Sequence, residues 1–152
     1  MANNGTGNNS ARDEWETPPS IFDPLMDQYN FKFDCCATKR NAKVEKYPDN
    51  FLDVADVSLV AWMNPPFSKA GAMFKHFFRV VKKGVAIYRC DNLETAIWQK
   101  EILPSCDWVY VPSGRVSYGG LDGNGARFPS ALIGVGVHYP KRFNGTILVV
   151  KR

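Results

Sequence analysis

Residues 62–67, which read Trp-Met-Asn-Pro-Pro-Phe, constrain the fold of this chain more than any other stretch. The apolar run at residues 57–61 predicts a buried strand before them, and the residues from Ser68 onwards predict the beginning of a helix. Asn64 would then lie at the carboxyl end of a strand, which is where open α/β sheets bind their ligands. We therefore expect an α/β fold with a ligand site at this edge of the sheet.

The same stretch carries functional groups that suit a planar amine. Pro65 and Pro66 remove two backbone N–H donors and stiffen the turn. The Asn64 side chain and the Pro65 carbonyl then offer two hydrogen-bond acceptors, and Phe67 offers a flat apolar face beside them. A planar NH2 group can donate to both acceptors while its ring stacks on the Phe. The structural alternative is a proline-rich turn with a buried Phe.

The rest of the pattern predicts a sheet that is mainly parallel and gains antiparallel strands towards its carboxyl end. Apolar residues at helical spacing predict helices over residues 21–29 and 69–82, and the capping pattern that begins at Asp91 predicts a third. Strands predicted at residues 31–37 and 85–89 alternate with these helices, which is typical of parallel sheets. Four further strand-like runs have no helix between them and predict antiparallel hairpins at the sheet edge: residues 108–111, 115–118, 131–137 and 146–150.

Length and composition predict one intracellular domain. The chain has 152 residues, enough for one hydrophobic core, with 45% hydrophobic and 22% charged residues. Residues 1–12 are polar and rich in Asn and Gly, so we expect a disordered tail there and a single domain over residues 13–152. No apolar run approaches the ~20 residues that span a bilayer, and residues 1–12 lack the apolar core of a signal peptide, which favours the cytoplasm. The net charge of +4 is compatible with a polyanionic partner.

The four cysteines do not predict a metal site or a disulfide framework. Cys35 and Cys36 are adjacent, whereas Cys90 and Cys106 stand apart, so the chain has no Cys-x-x-Cys pair. Disulfides are rare in the cytosol, so we expect free structural thiols and no bound metal.

Four motifs follow one another along the chain: Trp15-x-Thr17-Pro18, Phe33-Asp34-x-Cys36-Ala37, Trp62-x-Asn64-Pro65-Pro66-Phe67 and Gly114-Arg115-x-x-Tyr118. Their order resembles the small, phage-type DNA adenine-N6 methyltransferase family, over about residues 13–135. The resemblance implies a trimmed Rossmann-like class I methyltransferase sheet and S-adenosyl-L-methionine as cofactor. It further implies methyl transfer to the N6 amino group of adenine in double-stranded DNA. Protection of phage DNA from restriction in the host cytoplasm would be one biological role.

The resemblance also implies a catalytic segment that consists of Asn64, Pro65, Pro66 and Phe67. The target adenine would flip out of the duplex and stack on Phe67. Asn64 and the Pro65 carbonyl would accept hydrogen bonds from the adenine amino group and align its nitrogen with the cofactor methyl group. No strong base is needed, because the proton can leave after the transfer.

Cofactor and DNA contacts are implied at further positions. Seven residues would contact the cofactor: Trp15, Thr17, Pro18, Asp34, Cys36, Asp49 and Asp53. Among them, Asp34 would face the cofactor amino group, and Asp49, or else Asp53, would bind its ribose hydroxyls or adenine. Cys36 belongs to a turn of small residues that stands where methyltransferases usually carry a Gly-rich loop. Four basic side chains are candidates for phosphate or base contacts: Lys39, Lys69, Arg115 and Arg127.

Two alternatives remain open from the sequence. The same Asn-Pro-Pro-aromatic motif serves cytosine-N4 methyltransferases and protein-glutamine methyltransferases, so the acceptor could differ while the chemistry stays the same. A non-catalytic DNA-binding protein on a decayed methyltransferase scaffold is the second alternative, and the missing Gly-rich loop is its main support. The DNA recognition sequence and the oligomeric state do not follow from the sequence.

Overall fold

The computed structural model describes residues 16–38, 41–119 and 127–151. Within these ranges the chain forms two α-helices, α1 (Pro19–Tyr29) and α2 (Ala70–Val80). It also forms eight strands: β1 (Phe33–Asp34), β2 (Ala61–Met63), β3 (Gly84–Arg89), β4 (Trp108–Pro112), β5 (Val116–Ser117), β6 (Arg127–Phe128), β7 (Ser130–Val135) and β8 (Gly145–Val150). The tail predicted at residues 1–12 lies outside the described residues.

Six strands form one mixed sheet in the order β1-β2-β3-β7-β4-β8. β1, β2 and β3 pair in parallel, whereas β7 is antiparallel to both β3 and β4, and β8 is antiparallel to β4. Strands β5 and β6 form a separate two-stranded antiparallel ribbon. The predicted α/β class with antiparallel carboxyl-terminal strands is confirmed, but three of the five pairings in the sheet are antiparallel, so the sheet is mixed rather than mainly parallel.

The antiparallel strands do not all lie at the edge of the sheet, as the sequence had suggested. β7 lies in the interior, between β3 and β4, and its residues from Ser130 to Gly134 are all buried. β8 forms the edge and alternates between half-buried and exposed residues. The reason is burial on both faces: a strand of small and apolar residues suits the interior, whereas an alternating strand suits an edge.

Helices cover both faces of the sheet. On one face, Phe22 of α1 packs against Trp62 with ring centroids 5.2 Å apart. On the other face, Phe74 of α2 packs against Tyr88 at 5.4 Å. Successive strand residues point to opposite faces, so neighbouring residues of β2 contribute to two separate cores. The rigid centre of the sheet holds the carboxyl end of β2 in place.

The connection from β1 to β2 contains little regular secondary structure. Its described residues contain one turn of 3₁₀-helix, Phe51–Asp53, and an isolated parallel bridge between Val57 and Val81. The strand predicted at residues 57–61 begins only at Ala61 and continues to Met63. Within the described residues this connection adds no strand to the sheet.

The third predicted helix differs most from expectation. It is a π-helical segment, Ile97–Ile102, and Asp91 does not cap it. The Asp91 carboxylate instead accepts hydrogen bonds from Arg89, at 2.7 Å from Nε and 2.7 Å from Nη2. A bidentate hydrogen bond to the buried Arg89 guanidinium is stronger than a cap at an exposed helix start, so Asp91 pairs with Arg89 and does not cap the helix.

The described residues contain no cluster of His, Cys, Asp and Glu that could hold a metal ion. The four cysteines are free thiols. None of the helices in the described ranges is long and apolar enough to cross a membrane.

Candidate functional site

The carboxyl ends of β1 and β2 bring Asp34 and Asn64 to the same edge of the sheet. Asp34 is the last residue of β1 and is paired in register with Trp62, two residues before Asn64. Both side chains line a small cavity of about 20 Å³, enough space for one water-sized group. The prediction that Asn64 follows the carboxyl end of a strand is confirmed.

A larger cleft of about 260 Å³ adjoins this cavity. The two share Cys36 and Asn41 in their walls. Asp49, Pro66 and Lys69 also line the cleft, so it runs from the β1–β2 connection to the segment after Asn64. We call the small cavity and the cleft together the edge recess.

The Asp34 carboxyl group is buried and only half satisfied. Its Oδ2 accepts a hydrogen bond from the Lys43 backbone N–H at 2.9 Å, whereas Oδ1 has no hydrogen-bond partner in the described residues. Burial raises the pKa of Asp34 to about 6, although the backbone N–H groups of Lys43 and Cys36 and the Lys43 charge act in the opposite direction. An unpaired carboxylate oxygen in a buried cavity is an acceptor for a ligand donor.

Residues 16 and 17 precede α1, and Glu16 lines the small cavity together with Asp34. Thr17 is buried, and its hydroxyl has no hydrogen-bond partner within the described part of the chain. Lys43 Nζ donates to the Thr17 carbonyl at 3.0 Å. The Glu16 N–H donates to the Gly119 carbonyl at 2.6 Å, and the Gly119 N–H donates back to the Glu16 carbonyl at 2.9 Å. Thr17 thus carries a second buried polar atom without a partner in the described residues.

The segment after β2 ends in a cluster of aromatic rings. Pro65 is buried and Asn64 is half-buried. The Phe67 ring is 4% exposed and lies 5.5 Å from the ring of Phe128 and 6.4 Å from that of Tyr118. The latter two rings stack on each other at 4.7 Å. The β5–β6 ribbon therefore helps to bury the ring that the sequence predicted for base stacking.

Arg89 adds a buried charge next to this cluster. It ends β3, is 3% exposed, and its Cζ lies 5.1 Å from the centre of the Phe128 ring. Hydrogen bonds from Arg89 lower the pKa of Asp91, and Arg115 adds a smaller effect of the same sign. The positive charge is thus paired with a carboxylate and packed against an aromatic face.

Residues 4–128 match the sequence model of the family described as DNA N-6-adenine-methyltransferase (Dam). The chain belongs to this family. Membership confirms the resemblance seen in the four motifs and indicates DNA adenine methylation as the general activity. Enzymes of this kind generally use S-adenosylmethionine as the methyl donor. A search of curated proteins gives no match.

The structure brings together some of the cofactor residues predicted from the sequence and separates others. Asp34 and Cys36 line the small cavity, and Asp49 lines the larger cleft. Thr17 lines neither, but its carbonyl accepts from Lys43, which lines the small cavity. Two others lie elsewhere: Pro18 lines a different cleft, next to Arg115, and Asp53 is exposed and accepts from Asn50 Nδ2 at 3.3 Å. Trp15 lies outside the described residues.

The predicted DNA contacts lie in different parts of the structure. Lys69 is exposed in the wall of the larger cleft, and Arg115 and Arg127 are exposed on the β5–β6 ribbon or just before it. Lys39 lies outside the described residues.

Sequence analysis missed three residues of the site. Asn41 lines both parts of the edge recess, Lys43 ties Thr17 to the backbone around Asp34, and Arg89 is buried beside Phe128. Asn41 and Lys43 lie in a polar stretch without periodicity, which carries no signal of burial. A signal existed for Arg89, because a charged residue closing an apolar strand, with an acid two residues later, is typical of a buried ion pair.

Proposed function

We propose that the chain transfers a methyl group from S-adenosyl-L-methionine to the N6 amino group of adenine in double-stranded DNA. The observation that carries the proposal is the position of Asn64 and Asp34 in one cavity at the carboxyl ends of two parallel strands. One side chain offers an acceptor for an amine, and the other offers an unpaired acceptor for the cofactor. A trimmed Rossmann-like class I methyltransferase sheet is the architecture we assign to this arrangement.

The residues of the edge recess fit the cofactor. Asp34 Oδ1, a buried polar atom of the small cavity, lacks a partner in the described residues, and a bound polar ligand would satisfy it. We assign Thr17 to the same site through its contact with Lys43. Asp34 would accept from the α-ammonium group of the cofactor. Asp49, in the larger cleft, would accept from its ribose hydroxyls, and the turn at Cys36 would pass close to it.

The chemistry follows from the acceptors at the end of β2. When bound, S-adenosylmethionine supplies an electrophilic methyl group. The Asn64 side chain and the Pro65 carbonyl accept hydrogen bonds from the adenine NH2 group, which orients its nitrogen lone pair towards that methyl group. The proton leaves after the transfer, so no strong base is required, and Pro66 keeps the turn free of a competing N–H donor.

The flipped adenine reaches Phe67 only after the covering rings move. The Phe67 ring is 4% exposed, so a base can stack on it once Tyr118 and Phe128 have withdrawn. Arg115 and Arg127, near the same ribbon, would contact the DNA phosphates, together with Lys69 and Lys39. DNA as the substrate places the protein in the cytoplasm, and in the host cytoplasm if a phage encodes it.

Nucleoside mass spectrometry tests the reaction directly. The protein is incubated with unmethylated duplex DNA and S-adenosylmethionine, the DNA is digested, and N6-methyladenine is the expected product. N4-methylcytosine in its place would refute adenine as the target and retain the amine chemistry. No methylated nucleoside, with no cofactor binding by calorimetry, would favour the non-catalytic scaffold; cofactor binding without DNA methylation would favour a protein glutamine as acceptor.

The role of Asn64 is tested by a pair of substitutions. Asn64→Ala removes the side-chain acceptor, so we expect at least a roughly 100-fold loss of methyl transfer with cofactor affinity nearly unchanged. Asn64→Asp keeps acceptor oxygens at the same position and serves as the matched control, with most of the transfer retained. Survival of transfer in Asn64→Ala would contradict the mechanism.

A further inference from the structure

A cleft of about 340 Å³ lies beside the β5–β6 ribbon and is larger than the cleft of the edge recess. Arg115 and Arg142 line it, and the described residues in its walls include no Asp or Glu. Hydroxyl and amide side chains supply the rest of its polar lining: Ser20, Ser113, Ser117 and Asn144. We call it the ribbon cleft. Its positive charge and its hydrogen-bond donors suit an anion.

The two arginines of the ribbon cleft have no competing carboxylate. Both side chains are exposed, and neither forms a salt bridge within the described part of the chain. Arg142 also lines a neighbouring cleft that contains Asp23 and Asp27, but its guanidinium is not within salt-bridge distance of either carboxylate. Both guanidinium groups therefore retain N–H donors for an anion that enters the ribbon cleft.

The backbone around Arg142 is held on both sides. The Tyr110 hydroxyl of β4 donates to the carbonyl of Phe143, the residue after Arg142. The N–H of Lys141, the residue before it, donates to the Gln28 side chain of α1 at 3.0 Å. These contacts fix the backbone against β4 and α1, so the conformational entropy lost when Arg142 binds an anion is limited to its side chain.

The ribbon cleft is connected to the ring that the target base is proposed to stack on. Val116 and Ser117 of β5 line the cleft, β5 pairs with β6, and the Phe128 ring of β6 lies 5.5 Å from that of Phe67. An anion bound there therefore contacts the same ribbon that helps to bury Phe67. A polyanion that runs past the ribbon would meet both arginines, and the backbone of duplex DNA is such a polyanion.

Building on the function proposed above, we propose that the ribbon cleft binds backbone phosphates of duplex DNA and that Arg142 is a phosphate contact in addition to Arg115. Phosphate contacts set the position of a protein on the duplex without reading its sequence. The ribbon cleft then holds the DNA backbone against the ribbon while the target base approaches Phe67.

Salt-dependent DNA binding tests this role of Arg142. Fluorescence anisotropy with a labelled duplex of mixed sequence gives the binding constant from about 50 to about 300 mM salt, and the slope of its logarithm against log salt reports the number of phosphate contacts. Arg142→Gln should reduce the magnitude of that slope by about 0.9 and weaken binding about 3- to 10-fold at about 0.1 M salt. Arg142→Lys keeps the charge and should keep the slope. Arg142 is exposed, so these substitutions remove no core contact.

Lys141→Gln is the matched control, because it removes the same charge from the adjacent residue, which does not line the ribbon cleft. It should keep the wild-type slope. An unchanged slope in Arg142→Gln would overturn the proposal, and so would an equal reduction in both variants, since net charge alone would then explain the effect. Failure of the wild type to bind duplex DNA would refute the proposed function as well. DNA binding with the expected slopes but without methyl transfer would support the ribbon cleft and refute only the reaction.

Discussion

Asp34→Asn should stabilise the cofactor-free protein while it weakens cofactor binding. The Asp34 carboxylate is buried, and one of its oxygens has no partner in the described residues. Burial raises its pKa from 3.8 to about 6. Because a pKa difference of one corresponds to about 1.4 kcal/mol, the ionised carboxylate costs the folded state about 3 kcal/mol. Asn removes the charge and keeps an oxygen that can accept from the Lys43 N–H.

The sign of the pH dependence follows from the raised pKa of Asp34. In the unfolded chain the carboxyl group ionises near its ordinary pKa of 3.8, but in the folded protein it ionises only near 6. The loss of folding free energy caused by the ionised carboxylate is therefore fully present above pH 6 and decreases as the pH falls from 6 towards 4. It is absent once the carboxyl group is protonated in both the folded and the unfolded state. We expect Asp34→Asn to raise the free energy of unfolding by up to about 3 kcal/mol at pH 8, and by less than about 1 kcal/mol at pH 4.

Urea unfolding, followed by tryptophan fluorescence at pH 8, 6 and 4 without cofactor, measures this difference. Asp27→Asn is the matched control, because Asp27 is exposed on α1, and it should change the free energy of unfolding by less than about 0.5 kcal/mol at each pH. Adding S-adenosylhomocysteine should stabilise the wild type and have little effect on Asp34→Asn. A gain in stability that is the same at pH 4 and pH 8, or a loss at pH 8, would refute the reasoning.

Three further substitutions test other parts of the structure. The Cβ added by Gly134→Ala would overlap the ring of Trp108, so this substitution should lower the free energy of unfolding by about 2 kcal/mol or more. An unchanged melting temperature in thermal unfolding would contradict this packing. Asp91→Ala leaves the buried Arg89 guanidinium without its carboxylate and should lower the free energy of unfolding in urea by about 2 kcal/mol. Adding Arg89→Met should recover part of this loss, and strict additivity of the two substitutions would show that the residues do not interact. Arg115→Ala should reduce the slope of log binding constant against log salt for duplex DNA by about 0.9, and an identical slope would exclude a phosphate contact.

The local part of the site was predictable from the sequence. The apolar run before Asn64 and the helical spacing after Phe67 predicted a strand, a turn and a helix, and β2, the turn and α2 follow in that order. The prolines predicted a turn without N–H donors. These features depend on residues that are neighbours in the chain, so local propensity and periodicity are enough to reveal them.

The neighbours of that site were not predictable in the same way. Lys43 and Asn41 lie in a polar stretch that resembles a solvated loop, yet both line the edge recess. The sequence favours Asp49 for the cofactor with Asp53 as the second choice, and of the two only Asp49 lines the larger cleft. A charged side chain in an irregular connection has the same sequence signature whether it faces solvent or a cavity, so burial alone distinguishes the two.

By itself, the sequence determined the family, the α/β class and the position of Asn64 at the end of a strand. Only the tertiary structure decided that β7 lies between β3 and β4, that β1 pairs with β2, and that the β5–β6 ribbon covers Phe67. The physical reason is the same in each case. Strand pairing and the packing of rings join residues that are tens of positions apart, and such contacts are selected by the burial of the whole core rather than by any local pattern.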